Sequence, residues 1–183
     1  MKTKKLKTNE GLTLKIDYET PLEQQLKELG VTNYLNLSYV KELHPRVDIL
    51  CDVEDGSEML GKSPNECEEK FKKEKRRGLN IYEGLALLRH NPKVLEHHYI
   101  DLSGSRYVKF GDRVPALYLS GGVPSLSNGW AGHSYPHYGS ASACVEGSCV
   151  EGSLELGSLD SLSLEERVKS LEDDMEKIKN IFK

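Results

Sequence analysis

The first structured part of the chain alternates hydrophobic and polar residues, as a strand with one buried face does. Leu12, Leu14 and Ile16 are the apolar positions of this segment. A second run, residues 47–53, is rich in β-branched and other apolar residues and is followed by a turn at Gly56. We predict a strand in each segment, the second of them buried.

Two further segments combine helical spacing with start and stop signals. In the first, Thr20 is the predicted N-cap, the proline after it suits the first helical position, and Gly30 is the predicted stop. The second begins at the capping box of Ser63 and Glu66 and is predicted to continue to Arg77. Its end mixes acidic with basic residues, which is typical of a solvated helix face rather than of a phosphate-binding patch.

A third helix is predicted between a second capping box, formed by Asn80 and Glu83, and the break at Pro92. Residues 34–43 fit neither the strand period nor the helix period, so a strand and a helix both stay open there.

Glycine divides the following stretch into short strands, predicted at residues 99–102, 113–120 and 123–126. Pro115 lacks an N–H group for pairing, so the second of these strands is predicted to lie at a sheet edge or to carry a bulge. Together, the patterns predict an α+β fold with a short, mostly antiparallel sheet and several helices.

Composition divides the chain into four parts. Residues 1–10 are polar and basic and are predicted to form a flexible arm, whereas residues 11–143 hold the strand and helix patterns of one small globular domain. Gly, Ser and Glu dominate residues 144–161, which is typical of a flexible linker. Residues 162–183 are predicted to form an amphipathic coiled-coil helix.

The apolar residues of this last helix are spaced alternately by four and three positions, which is the heptad pattern of a coiled coil. A helix that docks on a globular domain usually shows a wider apolar face. We therefore expect a homo-oligomer through residues 162–183, either a dimer or a trimer. The heptad positions are Leu164, Val168, Leu171, Met175, Ile178 and Phe182.

Charge and cysteine content exclude several classes of function. The net charge is -4, and neither the basic start nor the acidic end is large enough to predict nucleic-acid binding. The sequence shows no secretory signal and no apolar stretch long enough for a membrane helix, so we expect a cytoplasmic protein without membrane contact. The four cysteines are therefore predicted to be free thiols, with Cys51 in the core.

One set of residues has the order of a zinc site: His133, His137, Cys144 and Cys149. Zinc-binding cysteines are usually about two to four residues apart, and Cys149 falls in the predicted linker. We therefore expect surface histidines and inert thiols, with no bound metal and no other cofactor.

A second set suits an anion. Ser105, Arg106, Arg113 and Ser140 lie near glycines, where backbone N–H groups and guanidinium groups can hold a phosphate or a carboxylate. The alternative is structural: Gly104 permits a tight turn, and the arginines pair with acidic residues of the domain.

Three other residues are candidates for the same site. Glu83 and His137 are the possible acid–base groups, although Glu83 most simply caps its helix. Trp130 lies among glycines and either lines a binding surface or fills the core.

Several short motifs between residues 47 and 143 occur in the order found in a known family. The set resembles an uncharacterised domain-of-unknown-function family of small soluble bacterial proteins, which implies a single intracellular domain and no assigned activity. The Gly/Ser linker and the heptad tail depart from that family. The motifs are residues 52–56, 77–87 with Pro92, 104–106, 113–117, 130–132 and 139–142.

Taken together, the patterns favour a cytoplasmic, self-associating binding module. Its site is expected near Arg106 and Trp130, for a small anionic ligand or a protein partner. The alternative is a small enzyme acting on an anionic substrate, a phosphate or a carboxylate, with Arg106 and Arg113 as the clamp.

Overall fold

Short helices and strands follow one another irregularly along the chain, and the predicted α+β class is confirmed. The computed structural model describes residues 11–145. Within that range the helices are α1 Leu22–Glu28, α2 Pro64–Lys73, α3 Ile81–His90 and α4 Val94–His97. None of these helices has the length and apolarity needed to cross a lipid bilayer.

The strands are short, and most have three to five residues. In chain order they are β1 Leu12–Lys15, β2 Thr32–Asn33, β3 Val40–Glu42, β4 Ile49–Val53, β5 Arg76–Gly78, β6 Tyr99–Asp101, β7 Ser105–Tyr107, β8 Arg113–Ser120, β9 Val123–Trp130, β10 Tyr138–Ser140 and β11 Ser142–Cys144. Three 3₁₀ turns occur at Leu37–Tyr39, Ser57–Met59 and Val108–Phe110.

A five-stranded sheet with the order β10-β6-β8-β9-β2 forms the centre of the fold. β6, β8 and β9 are antiparallel, whereas β10 and β2 run parallel to their neighbours. The sheet is therefore mixed, because both edge strands arrive from distant parts of the chain rather than through a hairpin. The remaining pairs in residues 11–145 are antiparallel: β1 with β4, β3 with β7, and β5 with β11.

The main core covers one face of the central sheet. Ile100, Leu117 and Leu126 are paired across β6, β8 and β9, and all three are fully buried. They pack in one cluster with the apolar side of α3, including Leu85 and Leu88. The alternation of β-structure thus explains which strand residues enter this core.

The opposite face of the same sheet is more polar. Successive residues of a strand point to opposite faces, so Asp101 and Ser140 lie on the face opposite to Ile100. Cys67 of α2 lies beside Ser140 and forms a second, smaller core with Met59 and Phe71. Only part of this face is covered by α2, and the rest forms the pocket described below.

Both predicted capping boxes are confirmed. The Ser63 hydroxyl accepts from the Glu66 N–H, and the Glu66 carboxylate accepts from the Ser63 N–H. Asn80 and Glu83 exchange the same two bonds at the start of α3. The boxes could be recognised because every partner lies within four residues.

The predicted start of α1 was wrong by one residue. Pro21 occupies the N-cap position, and no side chain caps the helix. The Thr20 N–H instead donates to the Asp17 carboxylate, so Thr20 belongs to the preceding turn. The predicted stop is confirmed, since Gly30 follows the last turn with a φ of 65°.

The second helix was predicted to reach Arg77 but ends at Lys73. Lys75 has a φ of 55°, which the helix cannot continue, and residues 76–78 form β5 instead. The side chain of Arg76 explains this change, because its guanidinium donates to the Asp52 carboxylate and to the Ser142 hydroxyl. Those partners are distant in sequence and invisible to a local pattern.

Pro115 does not mark an edge, because β8 lies in the middle of the central sheet and carries no bulge against β9. The Pro115 carbonyl accepts from the Leu102 N–H, so the proline nitrogen faces β6 as well. β6 ends at Asp101, so no β6 residue opposite Pro115 requires an N–H donor from it. Pro115 is tolerated because β6 is short, not because β8 is an edge strand.

Several other boundaries differ from the prediction. Cys51 is half-buried rather than core, and Ile49 in the same strand is exposed. β9 extends the predicted strand to Trp130, and β7 was not predicted. The open segment 34–43 contains a 3₁₀ turn followed by β3.

The C-terminal boundary of the domain also shifts. β11 includes Cys144, so the structured part continues beyond residue 143. The predicted arm of residues 1–10, the rest of the predicted linker and the predicted helix of residues 162–183 lie outside the described residues.

Candidate functional site

A pocket of about 360 Å³ opens on the polar face of the central sheet, a size in the range of small-molecule sites. Aromatic rings make up much of its wall, and one carboxyl group lies in it. Its lining residues are Asp101, Ala116, Tyr118, Ser127, Asn128, Gly129, Trp130, His133, Tyr135 and Tyr138. We call it the aromatic pocket.

Strand periodicity brings the tyrosines of this face together. Tyr99 and Tyr138 are register partners on β6 and β10, and their ring centroids are 5.0 Å apart. Tyr118 of β8 contacts Tyr99 edge-on at 6.0 Å, and Tyr135 of the loop before β10 contacts Tyr138 at 5.5 Å. His133 extends the cluster, 4.7 Å from Tyr135. The rings therefore hold one another in place around the pocket.

Asp101 is the unusual residue of the pocket, because its carboxyl is buried without a compensating charge. It is only 3% exposed, and within residues 11–145 no hydrogen bond or charge offsets the effect of burial on its carboxyl. Burial raises the pKa of Asp101 to about 7. A carboxyl that titrates near neutral pH inside a pocket is a candidate functional group.

Tyr138 shares this environment. Burial, followed by the nearby Asp101 charge, raises the pKa of Tyr138 to about 12, so its hydroxyl keeps its proton at neutral pH. The pocket thus offers a protonated phenol next to a carboxyl that can hold or release a proton.

Trp130 lines the pocket, and Arg113 packs against Trp130 beside the site. The Arg113 guanidinium lies over the Trp130 ring, 4.1 Å from the ring centroid, and donates to the Asn128 side chain at 2.7 Å. Its Nε is buried without a hydrogen-bond partner. Trp130 is 48% exposed and contributes to the pocket lining, so it does not fill the core.

Glu83 and Ser105, two of the predicted site residues, have structural partners. The Glu83 carboxylate is fully buried and receives two hydrogen bonds from Arg77, at 2.7 and 2.8 Å, besides the Asn80 N–H. The Ser105 hydroxyl accepts from the Ile81 N–H at 3.1 Å. Both side chains therefore support the start of α3.

Arg106 also has partners within the domain. Its guanidinium donates to the Glu68 carboxylate and to the Ser103 carbonyl, and it pairs with Asp112 at 3.2 Å. Arg106 and Arg113 were expected to bind an anion together. Arg106 already pairs with two carboxylates of the domain, so an anion would have to compete with them.

His137 and Ser140 flank Tyr138 but differ in exposure. His137 is exposed, and its carbonyl accepts from the Tyr99 N–H. Ser140 is fully buried, is the register partner of Asp101, and lies against the Cys67 thiol. Ser140 therefore lies next to the aromatic pocket, whereas His137 lies outside its lining.

The predicted order of histidines and cysteines does not form a metal cluster in the part of the chain that the structure describes. His133 belongs to the aromatic pocket, whereas the Cys144 thiol donates to the Asp52 carboxylate at 3.1 Å. Cys149 lies outside the described residues.

Sequence reasoning missed Asp101, Tyr118 and Tyr138 as site residues. One signal was present: Asp101 is a carboxylate within an otherwise apolar strand, and such a residue needs a reason to be buried. The tyrosines gave no local signal, because β8 and β10 meet β6 only in the folded sheet.

Comparisons with curated proteins and with solved structures gave no significant match. The comparison with family models gave one match, which covers more of the chain than the motifs between residues 47 and 143. The sequence model of a family of unknown function, DUF5701, matches residues 26–147, which is more than half of the chain, and the chain therefore belongs to this family.

Proposed function

We propose that the protein is a binding module for a small ligand, which it holds in the aromatic pocket. The observation that carries this proposal is the buried carboxyl of Asp101, which has no partner within residues 11–145 yet lines a pocket of ligand size. Burying a carboxyl without a partner costs stability, so a group from outside the domain is its natural complement. The ring walls supply apolar contact area around that group.

A screen with a blocked pocket tests this proposal. Thermal shifts of the full chain are measured against a library of small metabolites that includes cations, neutral compounds and anions. In parallel, Ser127→Phe fills the pocket from β9, and Ser120→Phe adds the same ring at an exposed position outside it. Compounds that stabilise the wild type and Ser120→Phe should have no effect on Ser127→Phe.

The proposal fails if every stabilising compound acts equally on both variants, because such compounds bind elsewhere. It also fails if no compound in any charge class stabilises the wild type. A protein partner would then become the better hypothesis for the exposed Trp130 surface.

The module is further proposed to self-associate through residues 162–183, on the basis of the heptad spacing from Leu164 to Phe182. Several copies would then present several pockets. Light scattering of the full chain beside a chain ending at Ser161 tests this part. A dimer or trimer is expected only for the full chain, and equal monomer masses for both would refute it.

A second candidate, an enzyme acting on a small phosphate or carboxylate, is favoured by one group in the pocket and one beside it. Asp101 has a pKa of about 7, which suits a general acid or base, and the Arg113 Nε is buried and lacks a partner. An enzyme would consume compounds found in the screen during hours of incubation, and Asp101→Asn would bind them without turnover. If the wild type leaves the ligand chemically unchanged, the enzyme hypothesis is refuted and the binding-module hypothesis remains.

A further inference from the structure

We propose that the aromatic pocket selects a small organic cation, a substituted ammonium group that is paired with Asp101 and enclosed by tyrosine rings. This inference rests on the proposed binding function, which it narrows to one class of ligand. Three features carry it: the position of the carboxyl, the nature of the walls, and the groups that face the carboxyl.

The position of the carboxyl comes first. Asp101 is almost fully buried, yet within residues 11–145 no Lys, Arg or His forms an ion pair with it. The other buried acidic residue within residues 11–145, Glu83, does have such a partner, because it is paired with Arg77. The side of Asp101 that borders the pocket is therefore the place where a positive charge is missing.

The walls of the pocket suit the same class of ligand. The face of an aromatic ring carries negative potential and attracts ammonium groups, and this is how aromatic cages recognise them. Tyr118, Tyr135 and Tyr138 line the pocket beside Asp101, and the high pKa of Tyr138 keeps that ring neutral. An ammonium group near Asp101 would thus meet a carboxylate and the three tyrosine rings that line the same pocket.

None of the protein groups around Asp101 supplies the positive charge that the ligand would bring. Tyr99 precedes it on β6, Tyr118 and Tyr138 flank it from β8 and β10, and the Cys67 thiol of α2 lies on the covered side. The pocket also contains His133. The Arg113 guanidinium is bound to Asn128 and stacked on Trp130, so its contacts are with those two residues rather than with Asp101.

Three probes that share a 2-phenylethyl group and differ in the charge of their polar end test the charge preference. They are 2-phenylethylammonium, 2-phenylethanol and 3-phenylpropanoate, and binding to the full chain is measured by saturation-transfer NMR at pH 8. The ammonium is expected to bind about tenfold or more tightly than the alcohol, since it gains a charge-assisted hydrogen bond and cation–π contacts. Its affinity should fall from pH 8 to pH 6 as Asp101 becomes protonated.

Matched variants assign the effect to one carboxyl. Asp101→Asn keeps the size of the side chain and removes its charge, so it should abolish the preference for the ammonium. Asp48→Asn removes the same charge from an exposed position and should leave all three affinities unchanged.

The outcomes separate the two proposals. If the alcohol or the propanoate binds the pocket as tightly as the ammonium, or if Asp101→Asn binds the ammonium as well as the wild type does, the cation inference is refuted while the binding function stands. If none of the probes binds and the metabolite screen is also negative, both proposals are refuted.

Discussion

Asp101 links the pocket to the stability of the domain. Its ordinary pKa of 3.8 is raised to about 7 by burial, so between these two values the folded chain holds a proton that the unfolded chain has released. The folded state binds more protons in this window, and the free energy of unfolding therefore decreases as the pH rises from about 4 to about 7. Above that window the cost is complete and constant.

Replacing Asp101 by Asn removes this cost. The difference between a pKa of 3.8 and one of about 7 corresponds to about 4 kcal/mol, and this is the upper limit of the stabilisation expected at pH 8. Near pH 4 the advantage of Asp101→Asn should disappear. Urea unfolding of both proteins at the two pH values measures the effect. A difference that is the same at pH 4 and pH 8 would show that the carboxyl does not ionise as described.

Glu83 is a buried carboxylate of the opposite kind, because it is fully paired. Glu83→Gln leaves an amide facing the Arg77 guanidinium, and we expect a loss of about 3–5 kcal/mol in the free energy of unfolding. Glu28→Gln is the matched control, since it weakens an exposed pair with Arg89 at 3.8 Å and should cost less than about 1 kcal/mol. Similar losses in the two variants, measured by urea unfolding, would contradict the role given to Glu83.

At the scale of elements, β10 depends on a close contact between two backbones. A Cβ atom on Gly139 would overlap the Gly56 carbonyl, whose residue has a φ of 95°. Gly139→Ala should therefore separate β10 from the turn and cost about 3 kcal/mol. Gly132→Ala is the control, because the nearest atom to its new Cβ is 3.8 Å away.

Thermal unfolding compares these two variants, and ligand binding gives a second measurement. Because β10 carries Tyr138 and Ser140 to the pocket, Gly139→Ala should also weaken the binding of any ligand in the pocket. Equal melting temperatures for Gly132→Ala and Gly139→Ala would show that the backbones can move apart at little cost.

Elements that depend on neighbours in sequence could be predicted from the sequence. The capping boxes at Ser63 and Asn80 and the strand at residues 113–120 are of this kind, because their signals span a few residues. β5 and β7 could not be predicted, because each exists only through pairing with a distant strand, β11 and β3 respectively. The prediction that Pro115 marks an edge or a bulge was wrong for a related reason: a proline fits in β8 because β6 ends at Asp101, which the local sequence does not reveal.

The candidate site shows the same limit more strongly. Trp130 could be singled out from composition, and it does line the pocket. Asp101 and the tyrosines could not be grouped, because β6, β8 and β10 contribute them from positions that only the sheet brings together. The two arginines differ: Arg106 forms ion pairs with Glu68 and Asp112, whereas Arg113 is stacked on Trp130, a residue of the pocket lining.

At the scale of the whole molecule, the domain is larger than its family match. β1 lies before residue 26, yet it pairs with β4 and places Leu14 and Ile16 in the main core. Burial of these two side chains contributes about 3–6 kcal/mol. The segment before the family match is therefore part of the folding unit.

Two truncated chains test this conclusion. A chain of residues 26–147 should be less stable than one of residues 11–147 by several kcal/mol, or should not fold, because it lacks β1 and the first turn of α1. Circular dichroism during urea unfolding measures the difference. Equal unfolding midpoints would show that β1 is an accessory strand.

The pairing of β1 with β4 also has a consequence for behaviour in solution. Without β1, one side of β4 would present unpaired N–H and C=O groups, next to Ile49, which is already exposed. An open apolar strand edge is a template on which further chains can assemble into aggregates. A chain without β1 would thus expose the edge of β4 to such assembly, in addition to losing the core contacts of Leu14 and Ile16.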